Sequence, residues 1–587
     1  MRSLLLVLFL ATTAVASEND LSVAWIARTP RIDYVWNSSN PTSEGWPSPG
    51  ADVQWVANVR WLGADALHGV AYWWLIDGEV VKSGTLDFNP ESIVQTALPW
   101  KWTFSRHEIA FEINPDNAVT ETNARNNRLL VYSNALGLGI YVERTFWNGI
   151  APQLAEAHIG VTTFDDWMQR LVRRFNEAAR YAIYPDTPNG VNDRWRLDEI
   201  HLVDDGALPL VAPYTEAHDW GAPATSFGTL YPNVADHTVD MQWGFGASTV
   251  GYWSEHTPWI FLIGNSEVHE WSHARTMIDV YAWNVSVDND ELHMASPPVP
   301  VPPSPSLYGS HYQGMMQFNW GRIDPFTAAA MNQMTGRRAL RGNYNEPWDI
   351  GWFLDDLPAV NRIHLIHTDG SPIANRNVSI YMPQPDPTKQ NYNMSYSDPP
   401  NLTVTSDAKG VVSIPRTAFP SHITAEIDGT NGTAIVKIND GGTVRWAYIE
   451  SLELNMAFWR GNHDATDLTV MADAPVCFDE LGPSLVAPDP EALVTTADVT
   501  FQFPNTAGHH FEIHYAVDGG DPVSVSLTPL PRSKTTMTAS LTLPRGRIVW
   551  WFTDQDPPLS CPIIQSSIYA FDHAAGAPLS RRRSVHH

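Results

Sequence analysis

Cysteine is nearly missing from this chain of 587 residues; only Cys477 and Cys561 occur. That excludes a scaffold stapled by many disulfides and leaves room for one bridge at most. Basic residues are scarce too, with 36 Lys and Arg against 64 Asp and Glu and a formal net charge of -28. Such a surface repels nucleic acid and anionic membranes and gives phosphate binding little support. Beyond the first residues no apolar run approaches the length of a membrane span, so a soluble mature chain is expected.

What is present begins with MRSLLLVLFLATTAVAS. Arg2, the apolar run from Leu4 to Leu10 and Ala14-Val15-Ala16 follow the charged, apolar, small-residue order of a secretory signal peptide. Residues 1–16 are therefore expected to be removed, giving a secreted, extracellular protein. In that setting Cys477 and Cys561 are expected to pair. Asn-x-Ser/Thr tripeptides begin at Asn37, Asn284, Asn377, Asn393, Asn401 and Asn431. Chance gives about as many, so they permit glycosylation without arguing for it.

The length calls for three to five domains. From 20 to 142 the pattern is all-β. Val53, Trp55, Ala57, Val59 and Trp61 alternate on one face of a strand. Asp77-Gly78 between two apolar runs predicts a hairpin. Ile109, Phe111 and Ile113 alternate before a polar turn. This segment resembles the CARDB domain, an immunoglobulin-like adhesion module whose closing strands carry Asp/Asn, Val, Glu and then Asn-Asn. Asp116, Val119, Glu121, Asn126 and Asn127 stand in that order here. The resemblance implies a β-sandwich and no chemistry.

Helical periodicity enters at TTFDDWMQRLVRRFNEAARYA, where Phe164, Trp167, Met168, Leu171, Val172 and Phe175 open an apolar stripe that Ala178, Ala179 and Ala182 continue. Thr163, with Asp166 three later, predicts the cap. Arg170, Arg173 and Arg174 are expected to face out. Residues 143–356 are mixed in pattern, and ASPPVPVPPSPSLYGS within them predicts a stiff, extended loop. Residues 357–472 return to strands and resemble the transthyretin-like domains appended to secreted peptidases, with Asp369, Gly370, Thr405 and Gly410 matching. Residues 473–575 hold short strands at sandwich spacing, like fibronectin type III or immunoglobulin modules. Residues 576–587 are expected to be a disordered tail.

The stretch that carries chemistry is GNSEVHEWSHARTMIDVYAW. His269 and His273, four apart, project from one helical face and can reach a single ion. Glu270 lies beside such an ion and can take a proton from a water whose pKa zinc lowers. The sequence resembles the metzincin peptidases, whose motif is His-Glu-x-x-His-x-x-Gly-x-x-His. The resemblance implies Zn²⁺ held by His269, His273 and Asp279, with Glu270 as general base. Asp279 stands where the family has its third histidine, and Thr276 where it has glycine. Were the helix to continue, Asp279 would lie about 240° round from His273, so the chain must turn after Arg275. Glu291, the competing third ligand, lies in the polar segment SVDNDELH. The family's methionine turn has Met315 and Met316 as candidates, and either Tyr308 or Tyr312 could donate to an oxyanion.

The chain thus reads as multidomain, with a central α+β zincin catalytic domain flanked by all-β immunoglobulin-like sandwich domains. The expected activity is secreted zinc-dependent hydrolysis of protein or peptide substrates. The sandwiches would contact a cell surface, matrix or glycan. The alternative is an extracellular adhesion or binding protein whose zincin domain is inactive.

Overall fold

The computed structural model describes residues 19–30, 47–157, 160–208, 239–247, 266–273, 275, 277, 314–316, 322–335, 355–382, 384–385, 394–396, 399–419, 433–474, 486–489, 491–504, 509–528, 536–557 and 565–575. The leader 1–16, Asp279, Glu291, Tyr308, Tyr312, both cysteines, the proline-dense loop and the tail lie outside these ranges. The chain divides into two compact units: residues 1–31, 47–135 and 196–199 form one, and 32–46, 136–195 and 200–587 the other.

The first unit is a β-sandwich. Strands β1 (Leu21–Thr29), β2 (Asp52–Trp61), β3 (Leu67–Ile76), β4 (Glu79–Phe88), β5 (Ser92–Lys101), β6 (Glu108–Ile113) and β7 (Arg128–Tyr132) make two antiparallel sheets, β1-β2-β5 and β4-β3-β6-β7. The alternating residues of β2 all point inward: Val53, Trp55, Ala57, Val59 and Trp61 are buried. Asp77 and Gly78 both take positive φ, 49° and 82°, as the two-residue hairpin between β3 and β4 requires. The polar closing segment is also accounted for. Glu121 accepts from the Leu21 N–H at 2.8 Å and from Asn127 at 2.7 Å, while Asn126 donates to Asp20. One carboxylate thereby ties the last strands to the first.

Next in the chain come β8 (Leu136–Glu143), helices α1 (Arg144–Ala157) and α2 (Phe164–Tyr181), β9 (Trp195–Val203), whose residues 196–199 count with the first unit, and β10 (Met241–Phe245). The sheet order is β10-β8-β9, with β10 parallel to β8. Helices α3 (Ser266–His273) and α4 (Pro325–Gln333) follow. Then come β11 (Val360–Ile366), β12 (Asn377–Tyr381), β13 (Gln384–Pro385), β14 (Met394–Ser395), β15 (Leu402–Thr405), β16 (Val411–Pro415), β17 (Thr433–Asp440), β18 (Thr443–Glu450), α5 (Ser451–Trp459) and β19 (Ala465–Met471). Sheets β16-β11-β19 and β15-β12-β17-β18 enclose one core that includes Ile363, Leu365, Val378, Ile380 and Val436. Gly410 is required there: at φ 80° its Cβ would lie 2.7 Å from the Leu365 carbonyl.

The chain closes with β20 (Leu493–Val494), β21 (Asp498–Pro504), β22 (Phe511–Val517), β23 (Val523–Leu527), β24 (Thr536–Thr542), β25 (Gly546–Asp554) and β26 (Tyr569–His573). Sheets β20-β26-β25-β22-β23 and β21-β24 share an aromatic core in which Phe503 stacks on Phe552 at 4.1 Å.

These elements correct the expected fold class. Of the described residues, 47% are strand and 17% helix, spread over many small sheets. No central α+β zincin domain is present among them. The physical reason is visible on α2. Its apolar stripe is buried as expected, but Arg170 and Arg174 do not face out: they are 1% and 2% exposed. Arg174 donates to the Ile568 carbonyl and pairs with Glu177 at 2.6 Å. Arg547 of β25 bonds Glu177 at 3.0 Å and Glu491 at 2.7 Å, and Tyr181 donates to the Gly520 carbonyl. Arg173 is exposed as expected, but Arg170 and Arg174 lie inside the protein, and the helix is built into the β-rich unit with the C-terminal strands.

Candidate metal site on the α3 helix

Helix α3 carries the His-Glu-x-x-His stretch and buries Val268, His269, Trp271 and Ser272. The Trp271 ring meets Trp195 edge-on at 5.9 Å, and Trp195 stacks flat on Phe175 of α2 at 3.4 Å. An aromatic stair thus seats α3 on α2. Such contacts fix a helix's orientation as well as burying area.

His269 is 7% exposed, and its Nδ1 lies 2.9 Å from the Met315 carbonyl oxygen. A carbonyl only accepts, so Nδ1 carries the proton. Ser272 Oγ donates to the Val268 carbonyl at 2.7 Å and stands 3.7 Å from Met315 Sδ. Met315 and Met316 are fully buried in the turn that contacts α3. Gly314 opens that turn where no side chain fits: a Cβ would meet Asp324 Oδ2 at 2.4 Å. Asp324 caps α4, accepting from the Thr327 N–H at 2.9 Å and its hydroxyl at 2.6 Å. Burial pushes the Asp324 carboxyl up, against the pull of those hydrogen bonds.

α3 ends at His273. The Arg275 N–H donates to the Ser272 carbonyl at 2.8 Å, so the chain turns immediately after the second histidine. The sequence placed that turn after Arg275. Arg275 itself is fully buried and pairs through Nε with Asp193 Oδ2 at 2.6 Å, while an Nη donates to the Met334 carbonyl at 2.8 Å. Sequence reading singled out Met315 but neither Asp193 nor Arg275. An ion pair spanning 82 positions leaves no local pattern to read.

His269 and His273 stand one turn apart on α3, which suits two ligands to one ion. The side chains of Glu270 and His273, and all of Asp279 and Glu291, lie outside the described residues. Among the described residues no group of three His, Cys, Asp or Glu side chains could hold a metal ion. The fit to zinc thus rests on His269, whose tautomer the Met315 carbonyl sets.

No family model matches the chain, a zinc-peptidase model included, and no curated protein matches it. Among solved structures it is similar to the CARDB domain of a Pyrococcus furiosus protein in complex with two metal ions, at 18% identity over 20% of this chain and 88% of that one, TM-score 0.16. It is also similar to the FN1–FN3 domains of chicken CNTN1, at 11% identity over 36% and 64%, TM-score 0.12. A carbohydrate-binding module of family 56, a β-1,3-glucan binding domain, matches at 18% identity over 13% and 88%, TM-score 0.11. Scores this low identify no function.

Proposed function

We propose that the chain is an exported binding protein of the adhesion type, whose β-sandwich bodies engage a cell surface, matrix or glycan. One observation carries this reading: the described strands pair into two-sheet bodies with aromatic or aliphatic cores. Such bodies hold loops rigidly at their ends, where recognition residues sit on a fixed frame. The net charge of -28 favours neutral or basic partners over anionic ones. Among the described residues no helix is long and apolar enough to cross a membrane. The test is binding of the purified chain to immobilised glycans, matrix proteins and whole cells. Saturable retention on one class supports the reading; uniform failure at micromolar concentration refutes it.

A second reading, zinc-dependent peptide hydrolysis, is favoured by the 2.9 Å contact from His269 Nδ1 to the Met315 carbonyl. Within a His-Glu-x-x-His helix, such a bond is the kind that a metal-ligating imidazole makes with its other ring nitrogen. His269, His273 and Asp279 would hold Zn²⁺, with Glu291 the alternative to Asp279. When bound, zinc supplies Lewis acidity to the scissile carbonyl and to a water molecule. Glu270 would serve as general base toward the attacking water and would return the proton to the leaving amine. Glu270→Gln keeps the side-chain shape and cannot accept the proton. The variant is expected to retain zinc while losing at least about 10²-fold in hydrolysis of a mixed peptide library. Proteolysis at wild-type rate in the variant would refute this mechanism.

A further inference from the structure

The segment after α3 poses a local problem. His273 is the last residue of the helix, so its turn has no continuing ladder to hold it. Thr276 occupies a position where glycine would make a sharp exit easy. Yet the chain does turn there, with the N–H groups of Arg275 and Met277 both directed at the Ser272 carbonyl, at 2.8 and 3.3 Å. Something other than backbone freedom must fix this end.

We infer that Arg275, gripped by Asp193 and the Met334 carbonyl, is the positioning residue that locks the last turn of α3 and so sets His273 relative to His269. This rests on the metal-site reading of α3. Arg275 is fully buried, and its guanidinium reaches two separate elements: Nε to Asp193 at 2.6 Å and Nη to Met334 at 2.8 Å. A planar fork with fixed donors fixes direction as well as distance, which a lysine point charge cannot do.

The anchors are themselves held. Asp193 follows Asn192, whose N–H donates to Asn332 Oδ1 at 2.7 Å and whose amide reaches Thr335 at 3.2 Å. Asn332 donates back to the Gly190 carbonyl at 3.1 Å. Gly190, at φ 74°, lies so close to α2 that a Cβ would stand 2.2 Å from the Arg180 carbonyl. The loop is therefore pinned to α2 on one side and to the end of α4 on the other. α4 supports both ends of the motif: its cap residue Asp324 adjoins Gly314 of the methionine turn under His269, and Met334 at its far end takes the Arg275 bond. The two ends of this short helix thus have one fixed support each.

The test measures zinc affinity of the full-length chain by competition with a chromophoric chelator, for wild type, Arg275→Lys, Arg275→Met and Asp193→Asn. Phe503→Leu, in the C-terminal core, serves as a control for lost stability alone. Circular dichroism and melting temperature are recorded for each. The expected order of affinity is wild type, then Arg275→Lys, then Arg275→Met, with the last about 10–100-fold weaker, the usual cost of losing a partner behind a metal ligand. Asp193→Asn is expected to fall with Arg275→Met, and Phe503→Leu to keep wild-type affinity. Wild-type affinity in a folded Arg275→Met, or an equal loss in Phe503→Leu, overturns the inference while leaving the metal site standing. A wild-type chain that takes up no zinc overturns both.

Discussion

Glu491 shows how single residues hold this protein together. Its carboxylate is buried, which alone would raise its pKa, yet the guanidiniums of Arg547 and Arg173 hold it well below its ordinary value near 4.5. Glu177 is depressed by Arg547 and Arg174 in the same way, against its own burial. Burial draws the neighbouring Arg170 down to about 10, against the pull of Glu491. A depressed carboxylate contributes stability that is present above its unfolded pKa and lost as pH falls through its folded one. The second unit is therefore expected to lose stability below about pH 4.5. Glu491→Gln, which leaves buried arginines short of a counter-charge, is expected to cost about 3–5 kcal/mol at neutral pH. It should also flatten the acid slope of the denaturant midpoint. Identical slopes in wild type and variant would show that this cluster does not drive acid unfolding.

Elements differ in how far local sequence explains them. Helix α2 begins where it should: Thr163 Oγ1 accepts from the Asp166 N–H at 3.3 Å. Thr163→Ala is expected to cost about 1 kcal/mol in equilibrium unfolding. A change under a few tenths would mean that burial of the stripe alone sets the helix start. The hairpin at Asp77-Gly78 was equally legible, since two positive φ angles need those residue types. The polar face of α2 was not. Arginines on a helix ordinarily meet water, and Glu491, more than 300 positions away, joins Glu177 of the same helix in making their burial tolerable. The parallel pairing of β10 with β8 was hidden for a related reason, because its register joins Met241 to Leu138.

At the scale of the molecule, hydrogen bonds join segments far apart in the chain within the second unit. Gln565 donates to the Tyr181 carbonyl at 2.7 Å, and Arg322 donates to the Gln565 carbonyl at 2.5 Å. Arg460 of the strand-rich middle grips Asp186 with two bonds of 2.6 Å. Removing residues 473–587 strips Glu491 and Arg547 from α2. The shortened chain is expected to lose its cooperative thermal transition or to melt at least about 10 °C lower, as the loss of several kcal/mol implies. A wild-type midpoint for the shortened chain would show that the C-terminal strands fold as an independent body.

The sequence by itself determined what depends on neighbours a few positions apart. Alternating residues made β2 and β6, the 3.6-residue stripe and its cap made α2, and the spacing of His269 and His273 put both on one helix face. The acidic net charge was equally legible. Tertiary structure decided what depends on partners far apart in the chain. It buried Arg170 and Arg174, replaced the expected α+β zincin body with a β-rich unit, set the His269 tautomer from Met315, and turned the chain after His273 through Asp193. Each of these is a charge or hydrogen-bond match across tens to hundreds of residues, and such matches leave no period in the sequence.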